Sequence, residues 1–304
     1  MTPRFIGSDE LETLLPMTAA IDALEAAFHE GLPQAPPRAH VPMGEGELLL
    51  MPAVGPTAAG VKLVTVAPAN PSKGLPLIHA GYILFDVVTG EIAAVIEGGA
   101  LTALRTAAVS GVATRHLAPR EARRLVIIGA GVQGTAHLDA MAAVRPIETV
   151  TVVSRTRSKA ERLADRAAAV GLSTAVGDAA AVAEADIVCT CTTSTSPVFD
   201  SSLLMPGVHV NAVGAYQVGA QELDDDLIRR ARVVVETREA AMSGGDVRTA
   251  VDRDVIEDTA VAADLRELVG GAAVRTTLDD ITVFKSVGVA SEDLVVAAAA
   301  LVEA

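Results

Sequence analysis

The sequence predicts an α/β protein of two domains, an α+β domain followed by a domain built on a parallel sheet. The chain has 304 residues, which is too long for one hydrophobic core of ordinary size. Half of the residues are hydrophobic but only 2% are aromatic, so the core must consist of Ala, Val, Leu and Ile. In the second half, valine-rich runs alternate with alanine-rich stretches, which is typical of parallel strands covered by helices.

The first part of the chain predicts a mostly antiparallel sheet. Residues 1–30 indicate a short strand and one amphipathic helix with Thr18 as its N-cap, and the proline-rich stretch 33–37 ends this helix. A helix over about 102–116 follows four strand-like runs, which are separated by Pro and Gly and lie at 48–51, 60–66, 79–86 and 92–97.

The second part predicts a Rossmann-type parallel sheet. Helices from Gly134 and Ser158 alternate with strands at 124–128, 149–153, 185–191, 208–213 and 232–236, and a further strand is predicted at 282–286. We therefore expect a first domain over 1–118 and a second domain of the Rossmann type over 119–289. The C-terminal helix, 290–304, could pack on either domain and is assigned to the first.

Charge and hydropathy exclude several kinds of partner. The net charge of −14 repels phosphate backbones and anionic lipids, and no cluster of Lys and Arg offsets it locally. No apolar run approaches the roughly 20 residues of a membrane-spanning helix, and Asp9 and Glu10 stand where a signal peptide would be apolar. We therefore expect a cytoplasmic protein that binds neither nucleic acid nor membranes. Cys189 and Cys191 share one face of a predicted strand and make no metal site.

A glycine-rich turn follows the first strand of the second domain. The strand 125–128 leads into a G-x-G-x-x-G turn and then a helix, and the turn consists of Gly129, Ala130, Gly131, Val132, Gln133 and Gly134. The first glycine permits the tight turn, the second lets a pyrophosphate approach the backbone, and the third lets helix and strand pack closely. Because a helix N-terminus also attracts phosphate, the turn predicts a nicotinamide dinucleotide as cofactor.

The end of the second strand of this domain indicates which dinucleotide is preferred. An Asp or Glu at this point would accept from the 2′-hydroxyl of NAD, but this chain has Ser154, Arg155 and Thr156. These side chains can donate to a 2′-phosphate, so we predict that NADP(H) is preferred, with NAD(H) as the alternative. In the other interpretation, Arg155 and Arg157 are solvated charges beside a helix.

Several segments together resemble the ornithine cyclodeaminase and mu-crystallin family, and the resemblance extends over nearly the whole chain. Besides the glycine turn, the matching segments are Gly60-Val61-Lys62, Pro68-Ala69-Asn70-Pro71, Gly74-Leu75-Pro76, Leu101-Thr102-Ala103-Leu104-Arg105-Thr106-Ala107-Ala108 and Phe284-Lys285-Ser286-Val287-Gly288. The resemblance implies a homodimer in which the N-terminal domain supplies the substrate pocket and much of the subunit contact. It also implies hydride transfer at the carbon beside the carboxylate of an amino or imino acid.

The resemblance also implies which residues form the site. By position, Arg38, Lys62 and Arg105 line the substrate pocket, and Lys62 and Arg105 are the catalytic pair. A forked guanidinium suits a carboxylate. In the alternative interpretation, Lys62 is a solvent-facing strand residue and Arg105 a surface charge on an alanine-rich helix. The predicted cofactor set also includes Thr106, Thr192, Val213, Gly214 and Lys285.

Two departures from the cyclodeaminases favour a reductase. Tyr216 stands where those enzymes have an Asp that acts on the substrate amine, and Leu49 stands where a second acid is expected. Ring closure by deamination needs groups that move protons on amines, and both carboxylates are missing. We therefore expect reduction of 1-pyrroline-2-carboxylate or 1-piperideine-2-carboxylate to proline or pipecolate, with Lys62 or a neighbouring water as proton donor.

Other functions stay open at this point. An alanine-type amino acid dehydrogenase would use the same residues on an open-chain imine and release ammonia. A cyclodeaminase-like enzyme, an enzyme of specialised metabolism and a non-catalytic cofactor carrier are further alternatives.

Overall fold

A computed structural model describes residues 3–302 of the chain, which form fourteen strands and ten helices besides short 3-10 turns. The strands are β1 Arg4–Ile6, β2 Ala39–Met43, β3 Gly46–Val54, β4 Ala58–Val66, β5 Ile78–Asp86, β6 Ile92–Glu97, β7 Arg124–Ile128, β8 Thr149–Val153, β9 Ser173–Val176, β10 Ile187–Thr190, β11 His209–Ala212, β12 Arg232–Val235, β13 Ala263–Asp264 and β14 Thr282–Lys285. The helices are α1 Ser8–Leu14, α2 Met17–Glu30, α3 Gly98–Leu117, α4 Val132–Val144, α5 Arg157–Ala169, α6 Asp225–Arg230, α7 Arg238–Ala241, α8 Gly245–Asp252, α9 Leu265–Val269 and α10 Ala290–Val302.

The chain forms two compact units, which divide inside α3. The sheet unit comprises the chain up to Arg105 together with Val289 onward, and the Rossmann unit is Thr106–Gly288. The sequence placed the first boundary at the end of this helix instead, at 118/119. The difference arises because α3 is one continuous helix whose two ends pack in different units. The first two and the last two residues of the predicted first domain lie outside the described residues.

The sheet unit is built on one six-stranded sheet. Its strand order is β1-β6-β5-β4-β3-β2, and every neighbouring pair is antiparallel except β1 with β6. The mostly antiparallel sheet is therefore confirmed. Helix α10 packs against α2 and against strands β3 and β4 of this sheet. The C-terminal helix thus brings its side chains to the middle of the sheet unit.

Two local predictions in this unit are wrong. The expected single N-terminal helix capped by Thr18 is two helices, and α2 starts at Met17 after Pro16. The break has a steric cause, because the residue before a proline is driven out of the helical region, and Leu15 has φ −135° and ψ 87°. Strand β2, which contains Pro42, is missing from the predicted strands. A proline is tolerated there, since β2 is an edge strand.

The Rossmann unit has an eight-stranded parallel sheet in the order β13-β12-β14-β11-β10-β7-β8-β9. The order reverses between β7 and β10, because the chain runs from β7 outward to β9 and then returns to β10 on the other side. The α/β class and the Rossmann-type sheet are confirmed. The carboxyl ends of the strands beside such a switch point form the place where dinucleotides bind.

Three fully buried strands lie in the middle of this sheet. Every residue of β10, β11 and β14 is buried, and their polar side chains are hydrogen-bonded inside the unit, as His209 is to Thr282 and Asn211. Cys189 is one of the buried residues, and burial raises the pKa of its thiol to about 12. Both cysteines are free. Among the described helices, none is both long and apolar enough to cross a membrane.

Candidate functional site

The three glycines of the turn after β7 have different structural roles. Gly129 has φ +112°, and a Cβ there would lie 2.4 Å from the carbonyl oxygen of Cys191. A Cβ on Gly134 would lie 2.0 Å from the carbonyl oxygen of Gly129. Around Gly131, by contrast, no atom lies within 4 Å of such a Cβ. Two glycines are therefore required for folding, and the third leaves open space beside the backbone.

The helix that follows the turn is oriented to bind an anion. Helix α4 begins at Val132, directly after Gly131, and no side chain caps its N-terminus. Val132 is 70% exposed, so the first turn is accessible to solvent. Uncapped N–H groups and the helix dipole attract phosphate, and the space at Gly131 admits it. Ala130 and Gln133 are partly exposed at the same turn. The turn therefore fits the pyrophosphate of a dinucleotide.

The end of β8 carries no acid and is followed by two exposed arginines, Arg155 and Arg157. Ser154 accepts a hydrogen bond from the backbone N–H of Thr156, with 3.3 Å between Oγ and N. Arg157 pairs with Glu161 at 2.8 Å, as expected for a helix-flanking charge. Arg155 is exposed and makes no ion pair with any described residue. Of these two arginines, Arg155 is therefore the one without an ion-pair partner among the described residues.

The loops after β10 and β11 are joined by a carboxylate that sequence reasoning missed. Thr192 donates to Glu222 through its backbone N–H, and Gly214 donates to the same side chain, each at 2.7 Å. Val213 is buried, and its N–H donates to the carbonyl oxygen of Thr190 at 3.0 Å. The predicted cofactor residues Thr192, Val213 and Gly214 thus lie at neighbouring strand ends.

Lys285 lies inside the Rossmann unit. Its Nζ is 3.1 Å from the Asp246 carboxylate and donates to the carbonyl oxygen of Ala212 at 3.1 Å. The Lys285 side chain is buried, and its role toward a cofactor stays a prediction. Thr106 differs from it. The Thr106 hydroxyl is buried and has no hydrogen-bond partner among the described residues, which suits a residue whose partner is a ligand.

Lys62 and Arg105 meet in a buried cluster of the sheet unit. Lys62 Nζ lies 2.7 Å from Oδ2 of Asp293, and Arg105 Nε donates to Oδ1 of the same residue at 3.2 Å. Arg105 Nη1 also donates to Glu292 at 2.9 Å. Lys62 is 3% exposed and Arg105 is 6% exposed. The interpretations of Lys62 as a solvent-facing lysine and of Arg105 as a surface charge are therefore wrong.

The cluster holds two cations and two carboxylates, and burial shifts its lysine. The pKa of Lys62 is lowered to about 8, chiefly by burial; Asp293 opposes this shift, and the charge of Arg105 contributes to it. Sequence reasoning missed Asp293 and Glu292. The available signal was two adjacent acids at the start of α10, whose remaining residues are almost all Ala, Val and Leu.

Three further positions that the sequence analysis singled out have surroundings that differ from those of Lys62 and Arg105. Arg38 directly precedes the edge strand β2 and is partly exposed. Leu49, which stands where the cyclodeaminases are expected to have a second acid, is an apolar residue buried on β3. In the Rossmann unit, Tyr216 is 37% exposed. The structure therefore brings Lys62 and Arg105 together and supplies two acids from the C-terminal helix.

The fold and these residues define the class of protein. A Rossmann sheet with a phosphate-binding glycine turn and a second unit with a buried Lys and Arg cluster indicate a nicotinamide-dependent oxidoreductase. Comparison with known proteins supports this class. The sequence model of the ornithine cyclodeaminase/mu-crystallin family matches residues 3–303.

Three known proteins illustrate the similarity. A Δ1-pyrroline-2-carboxylate reductase of Bacillus cereus is 38% identical over 310 residues, which cover 96% of this chain and 94% of the relative. The structure of Thermococcus litoralis Δ1-pyrroline-2-carboxylate reductase with NADH and L-proline has a TM-score of 0.92, at 33% identity, and the match covers 99% of this chain and 97% of that one. An archaeal alanine dehydrogenase dimer with bound NAD has a TM-score of 0.93, also at 33% identity. The match covers 100% of this chain and 96% of that one.

The chain belongs to the ornithine cyclodeaminase/mu-crystallin family. The predicted family, the predicted fold class and the prediction of an oxidoreductase are confirmed. The roles of the individual site residues stay predictions.

Proposed function

We propose that this protein reduces a cyclic imino acid, 1-pyrroline-2-carboxylate or 1-piperideine-2-carboxylate, to proline or pipecolate with a reduced nicotinamide dinucleotide. The observation that carries the proposal is the buried pair of Lys62 and Asp293 beside Arg105. A cation held in this way, with a pKa near 8, suits proton delivery at neutral pH. The similarity to two pyrroline-2-carboxylate reductases supports the choice of substrate.

Each residue of the cluster has a separate task in this reaction. A bound cofactor would supply a hydride to the carbon of the C=N bond, and one proton must reach the nitrogen so that the product is a secondary amine. We assign that proton to the Lys62 ammonium. Arg105 and Arg38 bind the carboxylate of the substrate. Asp293 and Glu292 fix the orientation of the Arg105 guanidinium through its Nε and Nη1.

The first experiment measures NADPH and NADH oxidation with each cyclic imine in the absence of ammonium. Rapid turnover of one ring is expected. Lys62→Met should lower kcat/KM by about 10²-fold or more, the range for loss of a general acid. Lys73→Met is the matched control, since Lys73 is exposed. Equal turnover of the Lys62→Met variant and the wild type would remove Lys62 from this role.

An alanine-type dehydrogenase is the second candidate, because the archaeal alanine dehydrogenase has the same fold. That enzyme class needs ammonia to form its imine from pyruvate. Turnover of pyruvate that depends on added ammonium, together with no turnover of either ring, would favour this candidate.

Cofactor preference, assembly and location belong to the proposal as well. We propose that NADP(H) is preferred over NAD(H), because Arg155 at the end of β8 is exposed and makes no ion pair with any described residue. Arg155→Ala should lower the ratio of NADPH to NADH efficiency, whereas the matched variant Arg157→Ala should leave it unchanged because Glu161 already pairs with Arg157. An unchanged ratio in Arg155→Ala would contradict the assignment. We also propose that the protein is a homodimer, which sedimentation at several concentrations would test. We propose a cytoplasmic location, which fractionation of cells would test.

A further inference from the structure

Glu222 is a carboxylate of the Rossmann unit with no exposure to solvent. It lies in the segment between β11 and α6 and accepts hydrogen bonds at both oxygens. Oε1 accepts from the backbone N–H and the hydroxyl of Thr192, each at 2.7 Å. Oε2 accepts from the N–H of Gly214 at 2.7 Å and from the hydroxyl of Thr190 at 3.0 Å. One side chain therefore joins the ends of two neighbouring strands.

The two loops are also in direct contact at this point. A Cβ on Gly214 would lie 2.0 Å from the carbonyl oxygen of Thr192 and 2.6 Å from Oε1 of Glu222. Only a glycine permits this approach. The backbone geometry at both strand ends thus depends on the position of the Glu222 carboxylate.

The position of Glu222 is itself fixed by a second buried carboxylate. Asp246 Oδ1 accepts from the N–H of Glu222 at 2.6 Å and from that of Leu223 at 2.8 Å. Asp246 also pairs with Lys285, and Lys285 donates to Ala212 at the end of β11. This arrangement anchors Glu222 to the same strand whose following loop it holds. An anchor of this kind limits movement of the loops.

The sheet order determines which part of a dinucleotide lies over these loops. The switch point is between β7 and β10, and the 2′-position of the adenine ribose is read at the end of β8. The dinucleotide crosses the switch point at the glycine turn. Its nicotinamide half therefore lies on the side of β10 and β11, where Thr192 and Gly214 are located.

We propose that Glu222 is a positioning residue that holds the backbone against which the nicotinamide ring binds. The inference rests on the proposed cofactor site, and it concerns one half of that site. The role requires a carboxylate, because both oxygens accept from backbone N–H groups. A glutamine would place an NH2 group against one of those donors.

The test separates the two halves of the cofactor by binding. Wild-type protein and Glu222→Gln are titrated with NADPH, NADH, ADP-ribose and 2′-phospho-ADP-ribose. Fluorescence of the dihydronicotinamide is followed for the dinucleotides, and calorimetry for the ribose compounds. We expect Glu222→Gln to bind the ribose compounds within about twofold of wild type and the preferred dinucleotide about tenfold more weakly. We also expect an altered emission of the bound dihydronicotinamide, because the backbone that contacts its ring is displaced.

The matched control is Asp224→Asn. Asp224 accepts from the backbone N–H groups of Ser201 and Leu227, so its loss disturbs the same unit without touching either strand end. This variant should bind both halves of the cofactor like wild type. If Glu222→Gln does not fold, Thr190→Val removes one donor to Glu222 with little change of shape, and the same selective weakening is expected to a smaller degree.

Three outcomes would overturn the inference. Equal weakening of ribose compounds and dinucleotides would mean that Glu222 only stabilises the fold. If dinucleotide binding and emission are unchanged in Glu222→Gln, Glu222 has no positioning role. A wild-type chain that binds no dinucleotide would overturn the cofactor site as well. Because the readout is binding, failure of the imine substrates would leave this test intact.

Discussion

Replacing Asp293 by Asn should lower the pKa of Lys62 and move the alkaline limit of the reductase to lower pH. The protonated fraction of Lys62 falls as the pH rises through its pKa, so an enzyme that takes its proton from Lys62 loses activity on the alkaline side. Among the groups that raise this pKa, Asp293 has the largest effect. Its removal leaves burial and Arg105, which both lower it.

The size of the effect follows from the contact. An opposite charge within hydrogen-bond distance shifts a pKa by about 1–3 units, and Lys62 Nζ lies 2.7 Å from Asp293. With a pKa near 8, about nine-tenths of Lys62 is protonated at pH 7. A fall to about 6 would leave about one-tenth protonated, so kcat/KM at pH 7 should decrease about tenfold.

The assay is the pH dependence of kcat/KM for imine reduction between pH 5 and 10. Wild type and Asp293→Asn are compared on the same substrate, so titration of the imine itself cancels. Glu292→Gln is the matched control, because Glu292 contacts Arg105 and has the smallest effect on Lys62 among the contributing groups. The control should lower substrate affinity and leave the alkaline limit in place. Superimposable pH profiles of Asp293→Asn and wild type would refute the assignment of Lys62 as proton donor.

Three further predictions concern stability and cofactor binding. Gly131→Ala should weaken NADPH binding with an unchanged Tm because its Cβ meets open space, whereas Gly134→Ala, whose Cβ lies 2.0 Å from a carbonyl oxygen, should lower the free energy of unfolding. The loss expected from such overpacking is about 1–3 kcal/mol, and equal Tm values for the two variants in a thermal-shift assay would contradict it. Arg145→Met should cost about 3 kcal/mol or more in chemical denaturation, since buried carbonyl oxygens lose their donor; Arg145 donates to those of Thr114, Ala118 and Pro119. Tyr82→Phe should not lower stability, because the Tyr82 hydroxyl is buried without a hydrogen-bond partner among the described residues, and a clear loss in the same denaturation experiment would disprove this.

Local sequence patterns were sufficient to predict the central strands of the Rossmann unit, but not the short edge strands β9 and β13. The strand 125–128, the glycine turn and the following helix are adjacent in the chain. Gly129 and Gly134 are required by close backbone contacts, and Gly131 leaves open space beside the backbone. The order of βα units then determines the sheet, because parallel crossovers are right-handed and short. The family resemblance added Lys62 and Arg105 to the predicted site. The structure shows that both side chains are buried in the same cluster.

The acids of both sites could not be predicted in the same way. Asp293 meets Lys62 across a separation of 231 residues, and that contact depends on α10 packing on the sheet. Glu222 lies in a segment without periodic pattern, and its role depends on where two loops end. A carboxylate in such a position looks like any solvated acid in the sequence. Its partners become visible only when the strands are placed side by side.

Transfer of hydride to a cyclic imine is the central claim, and an isotope experiment tests it directly. The protein is mixed with 1-pyrroline-2-carboxylate and NADPH or NADH in which both hydrogens at C4 of the nicotinamide are deuterium, without ammonium. The account predicts proline with one deuterium at the carbon beside the carboxylate, in equal amount to the oxidised cofactor. Absence of labelled proline, together with deuterated alanine in a parallel mixture of the same cofactor with pyruvate and ammonium, would contradict it.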